Sequence, residues 1–393
     1  MTGRPRPLVL SEGWFPDSPS GLTRFVRELV FALAERGVQS RGVVLGPASD
    51  PPPGFDVPAD TDDPLARRLA RYARAAEQAA GAIDVVDAHF ALYAFRPVVT
   101  GALRRHPLVV HFHGPWADEA VAAGRRSRAA ASARRRVEGA VYRRARALVV
   151  LSEAFRRLLI ERYGVSPWRV HVIPPGVDLR RFAPGRRAEA RRALGLPLDA
   201  WVAVSVRRLV ERMGLDVLLD AWAALPQTEP ESLLIVAGEG PARADLERRA
   251  DALGIGQRVR FPGRVDDELL PLWYRAADVA VVPSIALEGF GLVVLEALAC
   301  GTPVVATRTG GLPEPLEHLD SSLVVPPGDV RALSNRLAAA RAGTAPLPLP
   351  ERCRAHAERF TWRETAAQTE EVYDRARRSP APGGAAWRPR RAA

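Results

Sequence analysis

The chain has 393 residues, of which 47% are hydrophobic, and a formal net charge of +11. This length allows two cores of ordinary domain size. No stretch reaches the roughly 18 uninterrupted apolar residues of a membrane span, and the first ten residues lack the apolar core of a signal peptide, so we expect a soluble cytoplasmic protein. Two cysteines are too few for a disulfide framework or a zinc site of cysteines.

The first half of the chain alternates short apolar runs with helical patterns. Buried strands are predicted over residues 7–10, 43–45, 85–89, 108–113, 147–151 and 170–173. A helix is predicted over 23–36, and a surface loop over 46–64, where three prolines follow one another. Strands that alternate with helices indicate a parallel sheet with crossover connections.

The second half repeats this pattern. Strands are predicted over residues 201–206, 232–237, 259–261, 279–282, 303–306 and 322–325, and a buried helix over 292–299. We therefore predict an α/β protein with two Rossmann-like domains, and ligands at the carboxyl ends of the strands, in a cleft between the domains. The predicted divisions are a first domain (1–182), a linker (183–197), a second domain (198–360), a final helix (361–378) and a disordered tail (379–393).

The most informative segment runs from Ser284 to Glu296, between a predicted strand and a predicted helix. It sets Glu288 and Glu296 eight positions apart around the sequence Gly289-Phe290-Gly291. Glycines let backbone amides approach a ligand, and a helix N-terminus favours an anion such as phosphate. Carboxylates accept hydrogen bonds from hydroxyls. Two glutamates with a phosphate site between them indicate a nucleotide sugar. The alternative is an ordinary loop with one solvated and one capping glutamate.

Further motifs occur in order along the chain. They are Asp17-Ser18-Pro19-Ser20-Gly21, His111-Phe112-His113-Gly114-Pro115-Trp116, Ile173-Pro174-Pro175-Gly176-Val177-Asp178, Arg207-Arg208-Leu209, Ala237-Gly238-Glu239-Gly240-Pro241 and Gly301-Thr302-Pro303-Val304 through Gly310-Gly311-Leu312-Pro313-Glu314. Together with the glutamate segment they resemble the retaining glycosyltransferases of family four, from about Leu8 to about Arg375. The resemblance implies the GT-B fold, in which two Rossmann-like domains face each other across a cleft.

The resemblance also implies an activity. A sugar would pass from a nucleoside diphosphate sugar, UDP- or GDP-linked, to a hydroxyl acceptor, which is a glycan, a lipid or a small molecule. The anomeric configuration would be retained, no side chain would act as covalent nucleophile, and neither a metal nor a cofactor would be required.

Roles for individual residues follow from the same resemblance. In the family an Arg and a Lys five positions later hold the diphosphate. Arg208 matches the first, but Met213 stands at the lysine position, so Arg212 is expected to substitute. Arg207 is expected to be exposed at the surface.

Other donor contacts are implied as well. Glu288 would hold sugar hydroxyls and Glu296 the ribose, while the amides of Gly289, Phe290, Gly291 and Leu292 would stabilise the diphosphate and the base would lie near Arg264 and Val265. In the first half, His113 would approach the donor sugar. Gly21 would begin a helix aimed at the cleft, although Leu22 stands where the family has a second glycine.

Alternative functions remain open at this point. His111 and His113 at a strand end, with Asp118 or His89, are also typical of a zinc-dependent hydrolase. A metal-dependent GT-A transferase needs Asp-x-Asp after a strand, but Asp60-Thr61-Asp62 lies in the proline-rich loop. No G-x-G-x-x-G follows the first strand, as a dinucleotide-dependent oxidoreductase requires. A non-catalytic nucleotide-sugar binding protein would carry the same motifs.

The positive charge is unevenly distributed. Residues 1–182 contain 28 arginines against 18 acidic residues, and between Arg125 and Arg157 11 arginines face only Glu138 and Glu153. A helical stripe of apolar residues predicts that Arg134, Arg135, Arg143 and Arg144 lie on the solvated side. We therefore expect an anionic acceptor, or one presented at an anionic membrane surface such as the inner membrane face. Nucleic acid is not expected, because few aromatic residues accompany the arginines.

Overall fold

The computed structural model describes residues 3–118, 128–226 and 231–379, which form two compact units. The first unit consists of residues 3–117, 128–173 and 363–379, and the second of 174–226 and 231–362 together with Asp118. The predicted disordered tail lies, apart from Ser379, outside the described residues. In the described part of the chain, no helix is both long enough and apolar enough to cross a membrane.

The first unit is built on a parallel sheet of seven strands in the order β3-β2-β1-β4-β5-β6-β7. The strands are β1 (Pro7–Leu10), β2 (Arg41–Val43), β3 (Phe55–Asp56), β4 (Val85–Ala88), β5 (Leu108–Phe112), β6 (Ala147–Val150) and β7 (Val170–Val172). The predicted strands are confirmed with small shifts at their ends. β3 lies in the segment predicted as a loop. Its Phe55 pairs with Gly42, where a Cβ would lie 2.1 Å from the ring, so the glycine makes this edge pairing possible.

Helices cover the sheet of the first unit. They are α1 (Gly21–Glu35), α2 (Leu65–Gln78), α3 (Ala91–Phe95), α4 (Arg128–Arg144), α5 (Glu153–Tyr163) and, from the end of the chain, α14 (Trp362–Arg378). α1 begins two residues before the predicted start because Ser20 and Thr23 form a capping box. α14 is held by Tyr373, which is fully buried, and by the ion pair of Arg377 with Asp84 at 3.0 Å.

The second unit has a parallel sheet of six strands in the order β10-β9-β8-β11-β12-β13. The strands are β8 (Trp201–Val206), β9 (Ser232–Ala237), β10 (Val259–Gly263), β11 (Val279–Val282), β12 (Val304–Thr307) and β13 (Val324–Val325). The helices are α6 (Arg187–Ala193), α7 (Leu215–Ala223), α8 (Arg243–Ala252), α9 (Leu270–Ala276), α10 (Leu292–Ala299), α11 (Glu314–Glu317), α12 (Val330–Arg341) and α13 (Pro350–Ala357). The strands and the buried helix predicted here are present, except that the strand predicted over 322–325 begins only at Val324, after a 3-10 turn (Ser321–Leu323).

The segment predicted as a linker contains α6, which packs into the second unit. Its Arg191 is buried, pairs with Asp278 at 2.8 Å and donates to the carbonyl of Ala276 at 2.9 Å. Asp278 also accepts from the backbone N–H of Val202 at 2.7 Å. These bonds attach α6 to the start of β8 and to the turn before β11.

Helix α4 differs from its predicted pattern. Arg135 and Arg143 are exposed as predicted. Arg134, however, lies over the ring of Trp116 at 5.0 Å, and Arg144 is partly buried and donates to the carbonyl of His106 at 2.7 Å. Glu138, one of the two acids that stand among the arginines of this region, is fully buried and accepts from the hydroxyl of Tyr163 at 2.9 Å. Part of the arginine excess therefore stabilises the fold.

In each sheet, the strand order reverses next to the strand that comes first in the chain. The reversal lies between β1 and β4 in the first unit and between β8 and β11 in the second. In open parallel sheets, the carboxyl ends of the two strands at such a reversal form a crevice where ligands bind. The segments that follow these four strands are therefore the candidate site of each unit.

Candidate functional site

In the second unit, the loop from Pro283 to Gly291 connects β11 to α10 and carries Glu288. Leu287 has φ 58° and is the one non-glycine residue with positive φ in the described ranges, a local strain that is frequent at binding sites. The loop is fastened to the turn after β12, because the N–H of Gly311 donates to the carbonyl of Glu288 at 2.9 Å. A Cβ on Gly310 would lie 1.9 Å from that carbonyl oxygen, so this position requires glycine. The paired glycines thus hold the glutamate loop.

Glu288 is buried, with 8% of its surface exposed, and is surrounded by donors. Its Oε1 accepts from the hydroxyl of Ser284 at 3.0 Å and from Nη2 of Arg207. Nη1 of Arg212 lies 3.7 Å from the same oxygen. One carboxylate and two guanidinium groups together give the surroundings of Glu288 a net positive charge. Such a site suits an anion with several oxygens.

The expectation that Arg207 is exposed is wrong. Arg207 lies two residues after the buried Ser205, so the two side chains point to the same face of the strand. The backbone N–H of Arg207 still donates to the carbonyl of Ala237 at 2.9 Å, as in the strand. Its side chain therefore turns inward, where Nη2 lies 2.7 Å from the hydroxyl of Ser284 and 2.8 Å from Sδ of Met213. The adjacent residue, Arg208, is exposed. Strand alternation, which sets Arg207 on the same face as Ser205, would have indicated the burial of Arg207 from the sequence.

Arg212 and Met213 lie in a short 3-10 turn that precedes α7. Met213 is buried, and Nη1 of Arg212 donates to the carbonyl of Leu287 at 3.1 Å. The N–H of Ile285 in turn donates to the carbonyl of Arg212 at 3.0 Å. Arg212 is therefore directed at the glutamate loop, one position before the methionine.

Glu296 and the predicted base site are separate features of the second unit. Glu296 lies in α10, is 5% exposed, and its Oε2 accepts from the hydroxyl of Tyr274 at 3.1 Å. Gly289, Gly291 and Leu292 are partly buried and Phe290 is buried. After β10, Arg264 is exposed and Val265 is partly buried.

In the first unit, Gly21 is the first residue of α1 and is exposed. A Cβ on Gly21 would meet no atom within 4 Å, so the fold itself does not require glycine there. Leu22 is helical and partly exposed. The opening turn of α1, next to the end of β1, is therefore accessible.

Four polar side chains meet at the carboxyl ends of β4 and β5, namely Asp87, His89, His111 and His113, and Tyr373 of α14 joins them. His89 Nδ1 lies 3.0 Å from His113 Nε2, and His89 Nε2 lies 3.0 Å from Oδ2 of Asp87. His111 Nε2 lies 3.3 Å from Oδ1 of Asp87, and the hydroxyl of Tyr373 in α14 donates to Oδ2 at 2.5 Å. His113 is partly exposed, whereas the other members of this set are buried. The sequence analysis missed Asp87 and Tyr373 and named His89 only as a possible metal ligand.

The three histidines are neutral near pH 7. Burial lowers the pKa of His89 to about 3. Burial also lowers the pKa of His111 to about 3, against an opposing effect of Asp87. The pKa of His113 is lowered well below its usual value by burial and by His89. Neutral imidazoles carry one donor and one acceptor each, so this group acts through hydrogen bonds.

The metal-binding alternative predicted His111 and His113 with Asp118 or His89. The three described residues whose ligand atoms lie within 4.8 Å of one another are instead Asp87, His89 and His111. Oδ2 of Asp87 already accepts from Tyr373 and from His89. The predicted ligand set is therefore not brought together. The two cysteines, Cys300 and Cys353, are buried and unpaired, and burial raises the pKa of each thiol to about 12.

Comparison with known proteins gives matches along most of the chain. The sequence profile of glycosyl transferases group 1 matches residues 186–360, and that of glycosyltransferase family 4 matches residues 19–181. D-inositol 3-phosphate glycosyltransferase from Saccharomonospora viridis is 34% identical, over 90% of this chain and 88% of that protein. D-inositol 3-phosphate glycosyltransferase 2 from Catenulispora acidiphila is 43% identical over 55% of this chain, and the match spans about half of that relative, 53%.

Solved structures with similar folds were also found. Sucrose-phosphate synthase from Thermosynechococcus elongatus has a TM-score of 0.78 and 26% identity, over 94% of this chain and 98% of that chain. HepE from Anabaena, solved in complex with UDP-glucose, has a TM-score of 0.77 and 23% identity, over 94% of this chain and 100% of that chain. The second likeness shows the fold alone.

Proposed function

The chain belongs to the group 1 glycosyltransferases of family four and is a glycosyl-transfer enzyme with the α/β GT-B fold, and we propose that it takes its sugar from a UDP- or GDP-linked donor. Family membership argues against both a metal-dependent hydrolase and a non-catalytic binding protein. The transfer retains the anomeric configuration and requires neither a metal nor a cofactor.

The arrangement around Glu288 is the observation that carries this proposal. Arg207 and Arg212 both lie next to the Glu288 carboxylate, at the carboxyl ends of β8 and β11. In this proposal the two guanidinium groups and the amides around Gly289 and Leu292 stabilise the negative charge on the diphosphate as the glycosidic bond breaks. Arg207, which is buried beside Met213, supplies the positive charge that the methionine lacks.

Glu288 then binds sugar hydroxyls, and Glu296 binds the ribose. A carboxylate that accepts a hydroxyl hydrogen bond forms the stronger, charge-assisted kind of bond. The burial of both glutamates supports this, because a buried carboxylate needs several donors. Arg264 and Val265 contact the base, and Arg208 contributes a further positive charge. For the first unit, Gly21 and His113 are the proposed donor contacts.

We further propose that the acceptor is a hydroxyl compound that carries a phosphate. The relatives named D-inositol 3-phosphate glycosyltransferase support this class. So does the arginine excess of residues 1–182, of which Arg135, Arg136 and Arg143 are exposed on α4. An acceptor at an anionic membrane surface would use the same charges, with each nearby Arg contributing roughly 1 kcal/mol.

A panel of UDP- and GDP-sugars tests the donor. We expect one of them to release its nucleoside diphosphate slowly by hydrolysis, and faster when an inositol phosphate is added than when unphosphorylated inositol is added. Release from none of the panel would contradict the donor class. Equal stimulation by inositol phosphate and by unphosphorylated inositol would contradict the phosphate-bearing acceptor but not the donor class.

Co-sedimentation with vesicles of increasing anionic lipid content separates the membrane version from the soluble one. Arg135→Ser with Arg136→Ser should abolish any charge-dependent binding. Arg248→Ser is the control, because this exposed arginine lies on α8 in the other unit.

A further inference from the structure

The carboxyl ends of β4 and β5 hold a continuous set of hydrogen bonds that leads from α14 to His113. Its links are Tyr373 to Asp87 at 2.5 Å, His89 to Asp87 at 3.0 Å and His89 to His113 at 3.0 Å. Asp87 and His89 are two residues apart at the end of β4, and His111 and His113 are two residues apart at the end of β5. All four side chains therefore point to one face of the sheet. We infer that Asp87 acts through His89 as a positioning residue, which fixes His113 in the tautomer that carries its proton on Nε2.

The order of the protons follows from the chemistry of each group. An ionised carboxylate only accepts hydrogen bonds, so Asp87 requires protons on Nε2 of His89 and on the hydroxyl of Tyr373. A neutral His89 with its proton on Nε2 has a bare Nδ1. His113 Nε2, which lies 3.0 Å from that nitrogen, must therefore be the donor. Nδ1 of His113 is then left as an acceptor.

Several observations support this order over the reverse one. The pKa of Tyr373 is raised well above its usual value by burial and by Asp87, so the hydroxyl keeps its proton and can only donate to the carboxylate. The pKa of Asp87 is raised, chiefly by burial, while His111 and the Tyr373 hydrogen bond act in the opposite direction and favour the ionised carboxylate. Phe25 packs against the rings of His89, His111 and His113, with centroids 6.1, 5.7 and 5.0 Å away. This packing restricts the rotation of all three rings.

The consequence concerns the donor sugar, and this step rests on the proposed function. His113 is the partly exposed end of the set. With Nδ1 bare and the ring neutral, it accepts a hydrogen bond from a sugar hydroxyl and brings no positive charge to the reacting carbon. If Asp87 did not fix the tautomer, the other nitrogen would carry the proton in part of the molecules, and those molecules would offer a donor in place of an acceptor.

Nuclear magnetic resonance of protein with ¹⁵N-labelled histidine rings tests the tautomer directly. Long-range correlations distinguish a protonated ring nitrogen from a bare one, and His113→Gln identifies the His113 signals. In the wild type we expect a protonated Nε2 and a bare Nδ1 on His113. A bare Nε2 in the wild type would overturn the inference without recourse to any variant.

Asp87→Asn is the decisive variant, because an amide can donate where the carboxylate only accepts. We expect the tautomers of His89 and His113 to reverse, and kcat per folded protein to fall about 10- to 100-fold with little change in KM for the donor. Tyr373→Phe keeps the carboxylate and should keep both tautomers. Tyr163→Phe is the matched control, since it removes a tyrosine-to-carboxylate hydrogen bond to Glu138 in the same unit.

Two results would contradict a positioning role for Asp87. One is an Asp87→Asn spectrum with unchanged tautomers, which would leave Asp87 a purely structural residue. The other is a stoichiometric metal ion in the purified wild type that Asp87→Asn loses. Failure of the proposed function has a different signature. If His113→Gln keeps wild-type kinetics with the true donor, His113 does not contact the sugar, whatever its tautomer.

Discussion

Replacing Arg207 by Met should damage both stability and turnover, because it removes the closest charge from the buried Glu288. The side chains of Arg207 and Glu288 are 5% and 11% exposed. Removing one partner of a buried ion pair costs about 3 to 5 kcal/mol. Arg212, 3.7 Å from the same oxygen, remains as partial compensation, so we expect the lower end, about 3 kcal/mol of unfolding free energy.

Turnover provides the second readout. Loss of one charge-assisted contact to the diphosphate should raise the activation free energy by about 1.5 to 3 kcal/mol, which lowers kcat/KM about 10- to 100-fold. Because Sδ of Met213 lies 2.8 Å from Nη2 of Arg207, a lysine at position 213 would bring an ammonium close to the lost guanidinium. The double variant Arg207→Met with Met213→Lys should therefore recover part of both losses.

Urea unfolding and steady-state kinetics with the identified donor measure the two effects. Arg191→Met is the matched control, because Arg191 forms a buried pair with Asp278 in the same unit, away from Glu288. It should lower stability but leave kcat/KM of the folded protein unchanged. An Arg207→Met variant with wild-type kcat/KM would refute the assignment of Arg207 to the diphosphate site. Absence of any rescue by Met213→Lys would refute the charge argument.

Three further predictions concern the glutamates, metal and pH. Glu296→Gln should weaken donor binding by about 1.5 to 3 kcal/mol in calorimetry, whereas Glu288→Gln should act more on kcat; wild-type kinetics in both variants would contradict the site. Activity should survive dialysis against EDTA, and complete loss restored by zinc would contradict the metal-independent reaction. His89 and His111 have a pKa of about 3 in the fold against 6.5 ordinarily, so below pH 6.5 the unfolded state binds more protons and stability falls. From pH 7 to pH 5 each should cost about 2 kcal/mol of unfolding free energy, and a flat urea midpoint over this range would contradict their burial.

Much of the fold could be predicted because parallel strands are buried on both faces. Runs such as those in β6 and β11 are apolar from end to end, and they stand out from the helical patterns on either side. The short β3 was missed because its pairing depends on Phe55 packing over Gly42 in another strand. A local pattern of prolines carries no information about that contact.

Helix α4 shows where the apolar pattern fails. Ala133 belongs to the apolar stripe that predicts the buried side of this helix, but it is exposed, whereas Glu138 is fully buried. The reason is that Tyr163 of α5 donates to Glu138 at 2.9 Å, so a carboxylate occupies the interior with a partner. A hydrogen bond between two helices is not visible in the periodicity of one of them.

The candidate site was predictable where its chemistry is local. The glycines and Glu288 of one loop, with Glu296 in the helix that follows, predict a ligand site through their spacing. Arg207 and the set of Asp87, His89 and His113 depend on which face of a strand each residue occupies and on which strand lies beside it. The alternation of Ser205 and Arg207 could have corrected the first, but the meeting of β4 and β5 with α14 requires the fold.

Proton NMR of a complete reaction tests the central claim most directly. The accepted nucleotide sugar and a phosphate-bearing hydroxyl acceptor are mixed with the enzyme, and the anomeric signals are followed with time. We predict a new glycoside with the anomeric configuration of the donor, formed in equal amount with the nucleoside diphosphate. A product of inverted configuration, or free sugar as the sole product in the presence of acceptor, would contradict the account.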